Sequence, residues 1–194
     1  KDAIAPLEEL LKKYPNSGYL IDIHIILSRA YGEAGQAEAD QKAKDEYFRK
    51  AMTSMKVVKS RSRDADVQAK ADIELASIQL LMGDKDKALA SYQRMLMFGD
   101  TKNAKVRPHL ETAFERILPL LNEKSRFDDI MEQCGKYIIT FPNGRCVNLA
   151  REWRTKMKMK GIKETPLGAA GEAAEEAAAN LAAEAQAQAG TNAP

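Results

Sequence analysis

Cysteine is scarce: Cys134 and Cys146 are the only two in 194 residues, too few for a disulfide framework and without metal-ligand spacing around them. Aromatics are 6%, with a single Trp, and seven Pro with eleven Gly are too few for a chain of short strands and tight turns. No apolar run approaches the roughly 18–20 residues that span a bilayer, so no transmembrane segment is expected. Charge of one sign is missing too: 30 Lys+Arg stand against 28 Asp+Glu, a formal +2. Because residues 165–194 hold four Glu and no base, the remainder carries +6, a mild bias that advertises no polyanionic partner. What is abundant is apolar surface at 44% and charge at 30%, enough for a core and too polar for a membrane bundle.

Those apolar residues recur every three to four positions, and period-two alternation is nowhere sustained, which predicts an all-α fold. Eight stripes can be followed. Leu7, Leu10, Leu11 and Tyr14 end at Pro15; Ile23, Leu27, Ala30, Tyr31 and Ala34 end at Gly35. A long helix over 37–59 carries Ala43, Tyr47, Ala51, Met55 and Val58, and the next runs from Val67 to Met82 before Gly83. Asp84 is placed to cap a fifth helix bearing Ala88, Tyr92 and Met95, stopped by Gly99. The sixth, Val106 to Leu121, has Pro108 near its start and Pro119 inside, where a kink or a shortened end is expected. Ser125 is placed to cap the seventh, with Asp128 and Asp129 in its first turn and Pro142 after its end. The eighth turns Cys146, Leu149, Ala150, Trp153 and Met157 to one side and Arg151, Arg154, Lys156, Lys158 and Lys160 to the other, with Trp153 as its expected anchor. Short turns between helices imply antiparallel neighbours.

After Gly161 the composition changes. Residues 163–194 form an Ala-rich, low-complexity tail with thirteen Ala after residue 164 and only Leu167 and Leu181 as large apolar side chains. That surface does not offset the entropy of ordering the segment, so a mobile tail with transient helix over 172–188 is expected.

The helix pairs repeat. Leu27-Ser28, Tyr31 and Gly35 stand at offsets 0, 1, 4 and 8, as do Leu75-Ala76, Gln79 and Gly83. Ala3, Leu7, Leu10 and Pro15 share spacings of four, three and five with Ile130, Cys134, Tyr137 and Pro142. Over residues 1–162 this pattern resembles the tetratricopeptide repeat, with small residues where helices A and B cross and Pro after helix B. The intervals from Gly35 to Gly83 and from Gly83 to Ser125, 48 and 42 residues, exceed the roughly 34 of the regular repeat. The aromatic-Pro ends Tyr14-Pro15-Asn16 and Phe141-Pro142-Asn143 are similar to the irregular bacterial subtype found in the Gram-negative envelope.

The resemblance implies a right-handed superhelical array of helix pairs, with a concave groove lined by A helices that binds a peptide or protein partner. Its ligand-facing positions fall on Asp22, Ile25, Arg29 and Glu33, on Lys70, Ile73, Ser77 and Leu80, and on Thr112, Glu115 and Asn122. It further implies a periplasmic or envelope-associated setting, the cytoplasm being the alternative. Ala3 already holds a helix-B position, so the first helix A is missing; a trimmed fragment, or self-association through the uncovered first helix, is expected. The opening Lys1-Asp2-Ala3 has neither Met nor a signal pattern, which leaves a removed leader or a larger N-terminal region as the two expectations.

Catalysis finds no foothold. His24 and His109 are isolated on different helices, and there is no phosphate-binding loop or nucleophile elbow; no enzyme and no cofactor is expected. Lys50, Lys56, Lys59, Arg61, Arg63 and Lys70 gather near one inter-helix corner, diluted by Asp45, Glu46, Asp64 and Asp66. Without exposed aromatics to stack on bases, that patch reads as a solvated face, and nucleic acid is set aside as a partner. The two cysteines sit either side of the Pro142 turn, Cys134 two turns back from it; one bridge is conceivable, but two small core residues fit the placement better. A purely structural module of a larger repeat protein is the alternative to partner binding.

Overall fold

The computed structural model describes residues 3–164, together with Glu176 and Asn180. The fold is all-α: eight helices and no strand occur among the described residues. They are α1 (Ile4–Lys13), α2 (Leu20–Gln36), α3 (Gln41–Arg61), α4 (Ala65–Leu81), α5 (Lys85–Phe98), α6 (Arg107–Glu123), α7 (Phe127–Thr140) and α8 (Val147–Met159). Two compact units divide within α6, Lys1–Ala113 and Phe114–Pro194. Apart from Lys163, Glu164 and the helical, exposed Glu176 and Asn180, the expected Ala-rich tail lies outside the described residues.

In the first unit, adjacent helices pack in sequence from α1 to α5, and α4 also packs back on α2. The α2–α3 pair holds the larger share of the core. Leu27 and Tyr31 of α2 meet Phe48, Ala51, Met55 and Val58 of α3 in one buried cluster. Each large side chain buried there contributes about 1.5–3 kcal/mol relative to exposure. The small residues of the repeat pattern do their expected work at the crossing: Ser28, 2% exposed, donates its hydroxyl to the Ala51 carbonyl at 3.1 Å. Gly35 does not end α2, which continues to Gln36; it lets the Phe48 ring approach. The third helix begins four residues later than its apolar stripe suggests. Asp40 caps it by accepting the Ala43 N–H at 2.8 Å, a local bond worth about 1 kcal/mol.

Helix α4 is capped at its start by Asp64, whose carboxylate accepts from Asp66 and Val67. It ends in a left-handed turn at Gly83, φ +82°, with Gly83 N–H on Leu80 and Asp84 N–H on Gln79. That pair of bonds is the Schellman arrangement, which satisfies two terminal carbonyls. Beyond it Asp84 occupies the N-cap position of α5, but its carboxylate pairs with Lys87 at 2.9 Å and makes no cap bond. Ala76, Ala88 and Tyr92, all 0% exposed, close the α4–α5 pair.

In the second unit α7 buries Ile130, Met131, Cys134, Tyr137 and Ile138, and packs on α8. Phe114 of α6 stacks on Tyr137 with ring centroids 4.2 Å apart. Pro119 does not shorten α6, which runs on to Glu123. Ser125 is not the cap of α7. It takes the left-handed position ending α6, φ +56°, with Ser125 N–H on Asn122 and Arg126 N–H on Leu121, so it stands where the preceding pair has Gly83. On α8 the expected roles of two neighbours are exchanged. Trp153 is half-buried under Lys156, whereas Arg154 is 3% exposed and its guanidinium pairs with Glu164. A guanidinium can run its stem along apolar surface and meet a carboxylate at the edge, which periodicity alone does not distinguish from an outward-facing charge.

Candidate functional site

The predicted ligand-facing residues of the first unit fall on α2, α4 and the start of α6. Asp22, Arg29 and Glu33 are exposed along one side of α2. Ile25 instead leans on the core cluster. Ile26, 50% exposed, completes the stripe Asp22–Ile26–Arg29–Glu33 at helical spacing. Ile26 is not among the positions the repeat resemblance implies; its signal in the sequence is an isoleucine four residues after Asp22 and off the core stripe. On α4, Lys70, Ile73, Ser77 and Leu80 are half-buried. Arg29 donates to Glu74 at 3.3 Å and so joins the sides of α2 and α4 that carry these residues. The Ser77 hydroxyl lies 3.3 Å from the Tyr92 hydroxyl, which turns it toward α5, and Thr112 donates to the Pro108 carbonyl one turn back.

Glu115 and Asn122 belong to the second unit, and there they bind α8 and its approach. Glu115 accepts from Arg145 at 3.0 Å and from the Cys146 thiol at 3.2 Å, while Asn122 accepts from Lys160 at 3.4 Å. Burial, reinforced by the Glu115 carboxylate, pushes the Cys146 thiol up to about 11. Cys134 and Cys146 are both buried free thiols.

The histidines are apart. His109 of α6 donates Nε2–H to Asp66 at 2.7 Å, fastening the first turn of α6 to the first turn of α4. His24 is half-buried, its Nδ1 shielded and without a hydrogen-bond partner among the described residues, and desolvation holds its pKa below the ordinary 6.5. Among the described residues no three His, Cys, Asp or Glu side chains come together as a metal would need. No helix among them is long and apolar enough to cross a membrane.

A cleft of about 600 Å³ opens between α3, α4 and α5 and reaches the first turn of α6. Met52, Ala69, Leu75, Met95, Val106 and Leu110 are among the residues that line it. Part of its shape comes from Gly99, where a Cβ would stand 2.6 Å from the Met95 carbonyl and collide with the Leu110 side chain. Lys56, Arg63 and Arg94 lie along it with no ion pair among the described residues, whereas Lys59 is held by Asp72. None of the predicted groove residues lines this cleft. Four members of the sequence-level basic cluster are divided here: Lys56, Lys59 and Arg63 face the cleft, while Lys50 pairs with Glu8 at 3.5 Å.

Comparison with protein-family models, with curated proteins and with solved structures returns no match to this chain.

Proposed function

We propose that this chain is a non-catalytic scaffold of tetratricopeptide-like helix pairs that binds a peptide or protein partner on its A-helix side. The observation that carries this reading is the paired side of α2 and α4. Exposed Asp22, Ile26 and Glu33 stand beside the Arg29–Glu74 bridge, an apolar side chain among fixed charges of both signs. Such a mixture recognises an extended or helical segment through one anchor and several polar contacts. The repeat spacing supports a concave groove, and the aromatic-Pro helix ends support a bacterial envelope, most simply the periplasm. A photo-cross-linking residue at Ile26, in envelope extract, tests it. Capture of a discrete partner that is abolished by Arg29→Glu with Lys70→Glu supports the groove; capture indifferent to both changes rejects it.

A second reading, an assembly module, is favoured by α1. That helix has no buried residue and leaves Leu10 39% and Tyr14 51% exposed. Association of copies through this side would be read from solution mass. A dimer lost in Leu10→Glu would favour assembly, and a monomer across the working concentration range would remove it.

A further inference from the structure

We infer that the cleft between α3, α4 and α5 is a second binding site, one that takes an acidic peptide segment carrying a bulky apolar side chain. It goes beyond the A-helix reading. Four α4 residues on the cleft, Gln68, Asp72, Leu75 and Gln79, lie roughly 150° around the helix from Lys70, Ile73, Ser77 and Leu80.

Three features of the cleft select that occupant. Its interior is apolar and large enough for a side chain of Phe or Leu size, at about 600 Å³. At its edge stands Phe98, 78% exposed, an aromatic with no ring partner among the described residues. Aromatics are enriched at protein interfaces, and a partner that covers Phe98 together with the cleft gains its whole ring area. The third feature is charge. Lys56, Arg63 and Arg94 are exposed and uncommitted to ion pairs among the described residues. Of the two acids, Asp72 is occupied by Lys59 and Asp100 accepts the Lys102 N–H at 3.0 Å. An approaching ligand therefore meets net positive charge.

The spacing of those cations argues for a chain over a single headgroup. Lys56 stands on α3, Arg63 in the turn that follows it and Arg94 on α5, so the three cations border the cleft from separate points. A fatty-acid carboxylate would answer one of them. Carboxylates spaced along a peptide would answer all three while one apolar residue between them enters the cleft. Nucleic acid would meet the same cations and the exposed Phe98, an aromatic that the sequence did not reveal as exposed. It brings no bulky aliphatic or benzyl side chain to fill the apolar interior, and displacement by an oligonucleotide is therefore one of the outcomes tested below.

The test is fluorescence polarisation of the full chain with a fluorescein-labelled peptide in which Glu residues flank a single Phe. Saturable binding that weakens with salt is expected, with no binding of the matched peptide bearing Lys in place of Glu. The double variant Arg63→Glu, Arg94→Glu should weaken it at least about tenfold, and Phe98→Ser similarly, whereas Arg29→Glu on α2 should leave it unchanged. All these positions are exposed, and thermal melts check that the variants fold. A photoreactive Phe analogue in the probe should cross-link to α3 or α5. No saturable binding, equal binding of the Lys peptide, indifference to the cleft variants, a cross-link to α2, or displacement by equimolar decanoate or oligonucleotide would each overturn the proposal. Loss of Ile26 cross-linking with retained probe binding would defeat the A-helix reading and leave this one standing.

Discussion

Phe48 lies so close to Gly35 that a Cβ on that glycine would stand 2.8 Å from the ring. The ring itself is 1% exposed and wedged between α2 and α3, so it has nowhere to retreat. Gly35→Ala gains about 1 kcal/mol of helix propensity. The overpacking costs about 1–3 kcal/mol, and a net loss of about 1 kcal/mol is expected from urea denaturation. Phe48→Leu alone should cost about 1–2 kcal/mol. Combined with Gly35→Ala it should cost less than the sum, because the smaller side chain removes the collision. Strict additivity would show that the two residues do not share one space.

The same pair shows what sequence could and could not reveal. Repetition at offsets 0, 1, 4 and 8 singles out Gly35 in the sequence, because packing of one helix on the next recurs with the helical period. The role assigned to it, a helix stop, was the commoner local use of glycine; close approach depends on Phe48, thirteen residues away, which the apolar stripe passed over for Tyr47. Ser77 and Glu115 were legible as non-core positions. That their polar atoms turn to Tyr92 and to Arg145 and Cys146 was not, since those partners are fixed by tertiary contact. The cleft was invisible for the same reason. Lys56, Lys59 and Arg63 appeared within a cluster in the sequence and Arg94 did not, since the cavity they border requires three helices and the Gly99–Leu110 approach to be in place.

Ser125 and Gly83 occupy equivalent helix ends, yet only the glycine adopts positive φ without crowding its own side chain. A left-handed residue with a Cβ costs roughly 1–2 kcal/mol, partly offset by the greater freedom glycine loses on folding. Ser125→Gly should therefore stabilise the chain by about 0.5–1 kcal/mol, and Gly83→Ala should destabilise it by about 1 kcal/mol. Shifts in denaturation midpoint of the same sign for both substitutions would contradict the left-handed assignment of Ser125.

His24 predicts an acid-sensitive stability. Its folded pKa is depressed because burial disfavours the charged ring, so the unfolded chain binds a proton first as pH falls. Stability should decline as pH drops below about 6.5 and level off beneath the folded pKa. The cleft beside it holds Lys12, Arg49 and Lys50 with Glu8 and Glu46, so charge there is already balanced closely. Glu8, depressed by the Tyr31 hydroxyl that donates to it, contributes stability above its ordinary 4.5 that is lost only in stronger acid. The two windows separate. His24→Gln should flatten the upper one and leave the lower; an unchanged slope near pH 6 would show that another group titrates there.

Cys134 and Cys146 should be silent to thiol reagents while the chain is folded. Both are buried, and desolvation raises their pKa to about 12 and about 11, so each is protonated at pH 8. The thiolate is the reacting species, and shielding removes access to what little forms. Reaction with a chromogenic disulfide at pH 8 should proceed at the rate of structural opening and rise to that of free cysteine in denaturant. The two sites should differ in their opening. Cys146 stands at the first turn of α8, tied by its thiol to Glu115 and by its N–H to the Tyr137 hydroxyl, whereas Cys134 is buried along α7. Helix ends fray more readily than centres. Glu115→Gln, which weakens the tie on the Cys146 side, should therefore accelerate labelling of Cys146 several-fold and leave Cys134 unchanged. Equal acceleration at both would mean that the thiols open in one cooperative step.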